Sequence, residues 1–223
     1  MTTGRLAAES PEYRKIRDEL LAAEIALRDQ RERVADLRRQ LPTDTVSDDY
    51  VFTEGPLDLA AGDAPISEVR LSELVDSERP LLLMHFMFGG AQENPCPMCS
   101  MWADGYDGVV RHLETRANFA VVVAGDLATF REWARTRGWR NLRILSSEGT
   151  PFKRDLGTET ESGQPIPAVS VFTRGSDGSP RHFYTGSAFL APGEFRGMDL
   201  LSPVWNYFDL LPEGRGDFMP SNG

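Results

Sequence analysis

Apolar positions along the chain fall into distinct patterns, and each predicts a different element. Between residues 10 and 41, Tyr13, Ile16, Leu20, Ala23, Leu27, Val34, Leu37 and Leu41 recur at alternating steps of three and four. Gln30 is the one polar member of the series, and no glycine interrupts it. That spacing draws a narrow stripe along one long helix, with Ser10-Pro11-Glu12 as N-cap and first turn. Pro42 ends it. A stripe this narrow resembles a coiled-coil seam, so the arm is expected either to pack on its own domain or to pair with a second copy as a homodimer. The charged remainder reads as a solvated face.

Short continuous apolar runs take over after residue 80. Pro80 to Phe88 suits a strand buried on both faces, followed by the turn-forming Gly89-Gly90. Phe119 to Ala124 and Leu142 to Leu145 are two further buried strands. A helix opening at Pro97 and running toward Arg116 lies between the first two. Leu127, Phe130, Trp133 and Ala134 give helical spacing up to Gly138. Upstream, Tyr50-Val51-Phe52 reads as a short edge strand, Thr53 to Pro65 as a loop, and Leu71 to Val75 as a short helix. Residues 146–166 are rich in Ser, Gly, Thr and Glu and predict a surface insertion with one short helix near Pro151 to Leu156. Ala168 to Arg174 and Arg181 to Tyr184 flank the turn Gly175 to Ser179 as a hairpin, and a closing helix is expected from Pro203 to Leu210. Alternating strands and helices predict a layered α/β domain. The divisions expected are an arm over 1–45, a domain over 46–217 and a tail over 218–223.

Composition narrows the function. A chain of 223 residues with 40% hydrophobic content is sized for one packed domain plus an appendage. A net charge of −10 and a pI near 4.8 argue against nucleic-acid or anionic-membrane partners, because phosphate binding needs clustered Lys and Arg. No apolar run approaches the roughly 20 residues that span a bilayer. The start Met1-Thr2-Thr3-Gly4-Arg5 lacks the apolar core of a signal peptide, so a cytoplasmic location is expected.

Candidate chemistry concentrates in Asn94-Pro95-Cys96-Pro97-Met98-Cys99, which holds both cysteines of the chain. In a reducing compartment such a pair is catalytic, redox-sensing or metal-binding rather than a permanent staple. Pro97 suits the first helical position, which sets Cys96 at a helix N-terminus where the dipole and free N–H groups favour a thiolate. Cys96 is then the attacking thiol and Cys99, one turn later, the shielded resolving thiol. The chemistry expected is attack on a protein or small-molecule disulfide, with the redox-active disulfide itself as the only cofactor. A closed zinc knuckle is disfavoured, because only His85, His112 and His182 could complete four ligands. The rival from another class is a soft-metal site, copper held by Cys96, Cys99 and His182. Two other residues enter by position. Pro167, just before a strand, would turn the preceding carbonyl toward the dithiol if its peptide bond were cis. His85, in the first buried strand, is placed to relay the Cys99 proton, or is a satisfied core histidine. Asp104 and Asp107 read as a carboxylate pair or as a solvated helix face.

The order of these elements resembles a thioredoxin fold, a three-layer α/β arrangement with a central mixed sheet, here carrying a long N-terminal helix. A narrower likeness rests on His85-Phe86-Met87-Phe88-Gly89, Cys96-Pro97 with Cys99-Ser100 and Trp102-Ala103-Asp104, and Asp107-Gly108. It continues through Gly138-Trp139, Ser146-Ser147, Ser170-Val171-Phe172, His182, Arg196-Gly197 with Asp199, Tyr207 with Asp209-Leu210, Pro212 and Gly214-Arg215. These resemble the signature of domain-of-unknown-function family 899, over nearly the whole chain. The resemblance implies a dithiol-disulfide oxidoreductase of the thioredoxin-like superfamily. Met98 departs from the small residue expected between the proline and the second cysteine, as does the approach loop Ala91 to Pro95, and the stretch Gly186 to Phe195 is longer than expected. A peroxidase would be a close variant, but Glu93 stands where the threonine of a peroxiredoxin Thr-x-x-Cys would be.

Overall fold

The computed structural model describes residues 8–43, 45, 47–191, 197, 199, 201–214 and 216–222. The leader reading at Met1 to Arg5, Pro192, Gly193, Phe195 and the motif residues Arg196 and Arg215 lie outside them. The chain divides into two compact units, Met1–Pro42 and Thr43–Gly223.

Among its described residues the first unit holds one helix, α1 (Pro11–Arg39, 29 residues). Ser10 caps it by accepting from the Tyr13 N–H, Glu12 sits at its positive end and Arg38 and Arg39 at its negative end, as the helix dipole favours. None of its residues is buried, and Tyr13, Ile16, Leu20, Leu27 and Leu37 of the stripe are all exposed.

The described residues of the second unit form seven strands: β1 (Val51–Glu54), β2 (Ser67–Arg70), β3 (Leu81–His85), β4 (Asn118–Val123), β5 (Ile144–Ser146), β6 (Ala168–Arg174) and β7 (Pro180–Ser187). Their order in the sheet is β2-β1-β5-β4-β3-β6-β7. β3, β4 and β5 run parallel, and the flanking pairings are antiparallel. Between them come α2 (Leu71–Leu74), α3 (Pro97–Leu113), α4 (Leu127–Arg137), α5 (Phe152–Asp155) and α6 (Val204–Phe208). β1 is not an edge strand as its sequence suggested. β2 covers its outer side, and β2 itself buries only Val69, the pattern of a solvated edge.

Strand alternation sends successive side chains to opposite faces. Met84, Phe86, Phe119, Val121 and Val123 therefore meet Cys99, Trp102 and Val110 of α3 and Phe130 of α4 in one core. Leu81, Leu83, Ala120 and Val122 meet Leu71, Leu74 and Phe152 in the other. The parallel centre is buried on both faces, which is why these strands read as unbroken apolar runs. Of the tail expected over 218–223, the described residues 218–222 are tied to the domain. Phe218 packs edge-on against Phe208 at 4.8 Å, and the Asn222 amide donates to the Pro95 carbonyl at 2.7 Å.

Candidate active site

The cysteines lie where β3 hands over to α3. Cys96 occupies the N-cap position in extended conformation and Pro97 the first turn, where its missing N–H is no loss. The Cys96 N–H donates to the Met87 carbonyl at 3.2 Å, and its own carbonyl accepts from the Ser100 N–H at 2.9 Å and the Ser100 hydroxyl at 3.0 Å. Both sulfurs are free thiols. Cys96 is half-buried and Cys99 is 1% exposed.

Their environments push them apart. The Cys99 side chain hydrogen-bonds the Cys96 sulfur, and the N–H groups of Cys99 and Met98 face it; together these outweigh burial and bring the Cys96 thiol down to about 6. Burial, and then the neighbouring Cys96 sulfur, push Cys99 well above an ordinary thiol, against a smaller opposing pull from the Met87 N–H and Lys153. The pair is therefore a thiolate next to a thiol at neutral pH, titrating as a unit. Between about pH 6 and 9 the reduced protein binds fewer protons at Cys96 than the unfolded chain does, so its contribution to stability rises with pH and is lost as pH falls through 6. Iodoacetamide modification of Cys96 is expected to rise with a midpoint near pH 6 and to move toward the ordinary thiol range in Cys99→Ala. A wild-type midpoint in the ordinary range would sink this account.

His85 sits on the other face of the sheet. Its neighbours Met84 and Phe86 join the Cys99 core, whereas its ring stacks on Phe152 at 5.6 Å. Nε2 lies 2.8 Å from the Ser170 hydroxyl and Nδ1 lies 3.1 Å from the Thr158 hydroxyl, so neither nitrogen bonds a cysteine. The hydroxyls fix the proton positions. Thr158 gives its proton to the Lys153 carbonyl at 3.0 Å, so His85 Nδ1–H donates to Thr158 and Nε2 accepts from Ser170. Ser170 then accepts from Thr185 at 2.7 Å, and Thr185 accepts from His182 Nε2 at 2.8 Å. Burial, with Lys153 and His182 nearby, holds His85 well below an ordinary histidine. The proton relay expected of His85 toward Cys99 gives way here to the satisfied core histidine.

His182 ends that hydroxyl chain and packs edge-on against Phe172. Among the described residues no three His, Cys, Asp or Glu side chains gather to hold a metal, so Cys96, Cys99 and His182 are not brought together. Pro167, whose peptide bond the sequence left open between cis and trans, takes the trans form. The cis X-Pro bond among the described residues is Ala64-Pro65, so Ile166-Pro167 is trans, and the buried Pro167 spends its carbonyl on the Ala188 N–H at 3.0 Å. Asp104 and Asp107 are not a pair. Asp104 accepts from the Trp139 indole at 2.7 Å and pairs with Arg137, while Asp107 accepts from the Arg140 and Asn141 N–H groups at 2.8 and 2.7 Å. They tie α3 to the end of α4.

One residue escaped the sequence reading. Lys153 of α5 is 2% exposed, and its Nζ donates to the Phe86 carbonyl at 3.1 Å and the Val122 carbonyl at 3.2 Å. Burial lowers its ammonium to about 7. The one available signal was scarcity: of 24 Lys and Arg, only Lys15 and Lys153 are lysine.

This dithiol lies within a sequence that matches, over residues 2–222, the family described as "Bacterial protein of unknown function (DUF899)". The chain belongs to that family. No curated protein matches this DUF899 chain. Among solved structures it is similar to a cysteine-to-serine mutant of PrxQ from Xylella fastidiosa, with 11% identity over 74% of this chain and 95% of that one and a TM-score of 0.50. It also matches peroxidoxin BcpB from Mycobacterium tuberculosis, with 18% identity over 72% and 93% and a TM-score of 0.49. A third match is the exposed lipoprotein thioredoxin of Streptococcus pneumoniae, with 15% identity over 63% and 91% and a TM-score of 0.41. At such identities the first likeness concerns the fold alone. The DUF899 chain has the thioredoxin-like α/β architecture with its added N-terminal helix. No helix among its described residues is long and apolar enough to cross a membrane.

Proposed function

We propose that this chain is a thiol–disulfide oxidoreductase acting on a protein or small-molecule disulfide, with Cys96 attacking and Cys99 resolving. The observation that carries the reading is the unequal pair at the start of α3: a half-exposed sulfur brought down to about 6 beside a buried one pushed up. An attacking thiol must be ionised and reachable, whereas a resolving thiol must wait, protonated and shielded, until its neighbour is bonded to substrate. Cys96 thiolate displaces one sulfur of the substrate disulfide, which leaves as a thiolate and takes a proton. Cys99 then gives up its proton and attacks the Cys96 sulfur, releasing the second substrate thiol and leaving the Cys96–Cys99 disulfide. Pro97 contributes by opening the helix that aims N–H groups at Cys96. A reducing compartment such as the cytoplasm would return the pair to the dithiol.

The test is the oxidation state of both cysteines, read by alkylation and intact mass on metal-free protein in graded thiol–disulfide buffers. A single two-electron transition between about −270 and −120 mV, the span of dithiol enzymes, is expected. Cysteines that stay reduced throughout, or that become protected only when Cu(I) is added, would replace this reading with a metal site.

A further inference from the structure

Lys153 is absorbed by none of the steps above, and its surroundings are unusual for a lysine. Lysine is almost never fully buried without a partner, yet among the described residues no carboxylate lies within ion-pair distance of this one, Glu159 acting on it only from farther away. Its two contacts are main-chain carbonyls at the ends of β3 and β4. Two carbonyls suffice for the two N–H groups of a neutral amine and leave its lone pair open to a proton.

One of those carbonyls leads to the dithiol. The Phe86 carbonyl and the Met87 N–H belong to the same planar peptide group. The carbonyl accepts from Lys153, and the N–H is directed at the Cys99 sulfur. A proton on Lys153 draws electron density through that peptide and strengthens the Met87 donor on a Cys99 thiolate. The groups that face Lys153 are Cys99 from α3, Glu159 from the segment after α5, and His85 from β3. His85 is held neutral between two hydroxyls, which leaves Cys99 and Glu159 as the groups that favour the ammonium.

We propose that Lys153 is the positioning residue of the resolving step, carrying the positive charge that answers the Cys99 thiolate through the Phe86–Met87 peptide; this rests on the dithiol reading above. In that step the bond between Cys96 and the substrate sulfur breaks and the Cys96–Cys99 bond forms. The Cys99 sulfur is oxidised, and the substrate sulfur is reduced and leaves as a thiol. Where Lys153 is already an ammonium, the proton of Cys99 passes through solvent to the released thiol. Where it is an amine, Lys153 gains a proton as Cys99 loses one, so forming the thiolate needs no net proton release, and that proton passes through solvent to the released substrate sulfur once the Cys96–Cys99 bond has formed.

The aromatic disulfide dithiobis-nitrobenzoate separates the two steps, because Cys96 releases one coloured thiolate on attack and Cys99 a second on resolution. In Lys153→Met the second phase is expected to slow at least tenfold at pH 7 to 8, with the first phase within about twofold of wild type. An unchanged second phase would overturn the role of Lys153, whereas absence of a second phase in wild type would overturn the dithiol reading itself. A measurement on the unaltered chain covers the case where Lys153→Met does not fold. With only two lysines, a ¹³Cε-lysine spectrum separates buried Lys153 from exposed Lys15, and the Lys153 midpoint can be read directly. The logarithm of the second-phase rate should rise one per pH unit below that midpoint and flatten above it. A unit slope through the midpoint would overturn the proposal.

Discussion

Serine at position 99 is expected to convert turnover into a trapped adduct. Incubated with oxidised glutathione, Cys99→Ser should accumulate a glutathione mixed disulfide on Cys96, visible by intact mass. Wild type should pass through that species to the internal disulfide, and Cys96→Ser should gain no adduct at all. Product identity is the informative readout, because rates alone would mislead. Cys99 is the largest single cause of the lowered Cys96 thiol. Removing its hydrogen bond, as in Cys99→Ala, returns Cys96 toward an ordinary thiol near 8.5, cutting the thiolate fraction at pH 7 about thirtyfold. A more basic thiolate is also a better nucleophile, by about tenfold or slightly more over that interval at a Brønsted coefficient of 0.4–0.5. The two effects nearly cancel, leaving a change in attack rate of about threefold. The adduct in place of the internal disulfide is by contrast an all-or-none difference. Glutathione carried equally by Cys96→Ser and Cys99→Ser would end the assignment of roles.

The second large effect concerns the frame that holds the dithiol. The loops after β3 and β4 approach backbone to backbone, and Gly89 lies at φ +89 where an added Cβ would sit 2.0 Å from the Gly125 nitrogen. Gly89→Ala must therefore either open the loops or strain both, because a main-chain neighbour cannot rotate away. A loss of about 3 kcal/mol or more is expected, combining a disfavoured backbone conformation with overpacking. Gly149→Ala is the control. Its φ is +76, but nothing lies within 4 Å of the added carbon, so only the conformational cost of about 1–2 kcal/mol applies. Urea denaturation of the two variants measures the difference, and equal midpoints would show that the close approach contributes nothing.

Much of the frame was legible because burial there is symmetric. Leu81 to Met84 and Phe119 to Val123 are covered on both faces, so hydrophobicity alone marks them as central strands. β2 escaped because an edge strand with one buried residue, Val69, carries almost no pattern. The dithiol was legible for a different reason: a proline between two cysteines states its own helical position, and the structure places Cys96 at the N-cap with Cys99 buried one turn later. His85 was harder because closeness in sequence does not say which face of a strand a side chain takes. Counting by twos from Met84 and Phe86, which join Cys99, puts His85 on the opposite face. Whether Ile166-Pro167 is cis and which partners His182 finds depend on contacts between β6, β7 and the insertion, and no local pattern encodes those. Lys153 is the extreme case, a charged residue in a polar-looking stretch whose importance comes entirely from where α5 docks.

That same docking divides the amines of the molecule. Lys153 is sealed beneath the sheet, whereas the Lys15 side chain on α1 is 75% exposed. An acylating dye applied to the folded protein, followed by a hydroxylamine wash that strips any thioester from the Cys96 thiolate, will therefore mark the helical arm and leave the thiol domain without a fluorophore. Encounters of the arm can then be followed by anisotropy with the cysteines restored and free to react.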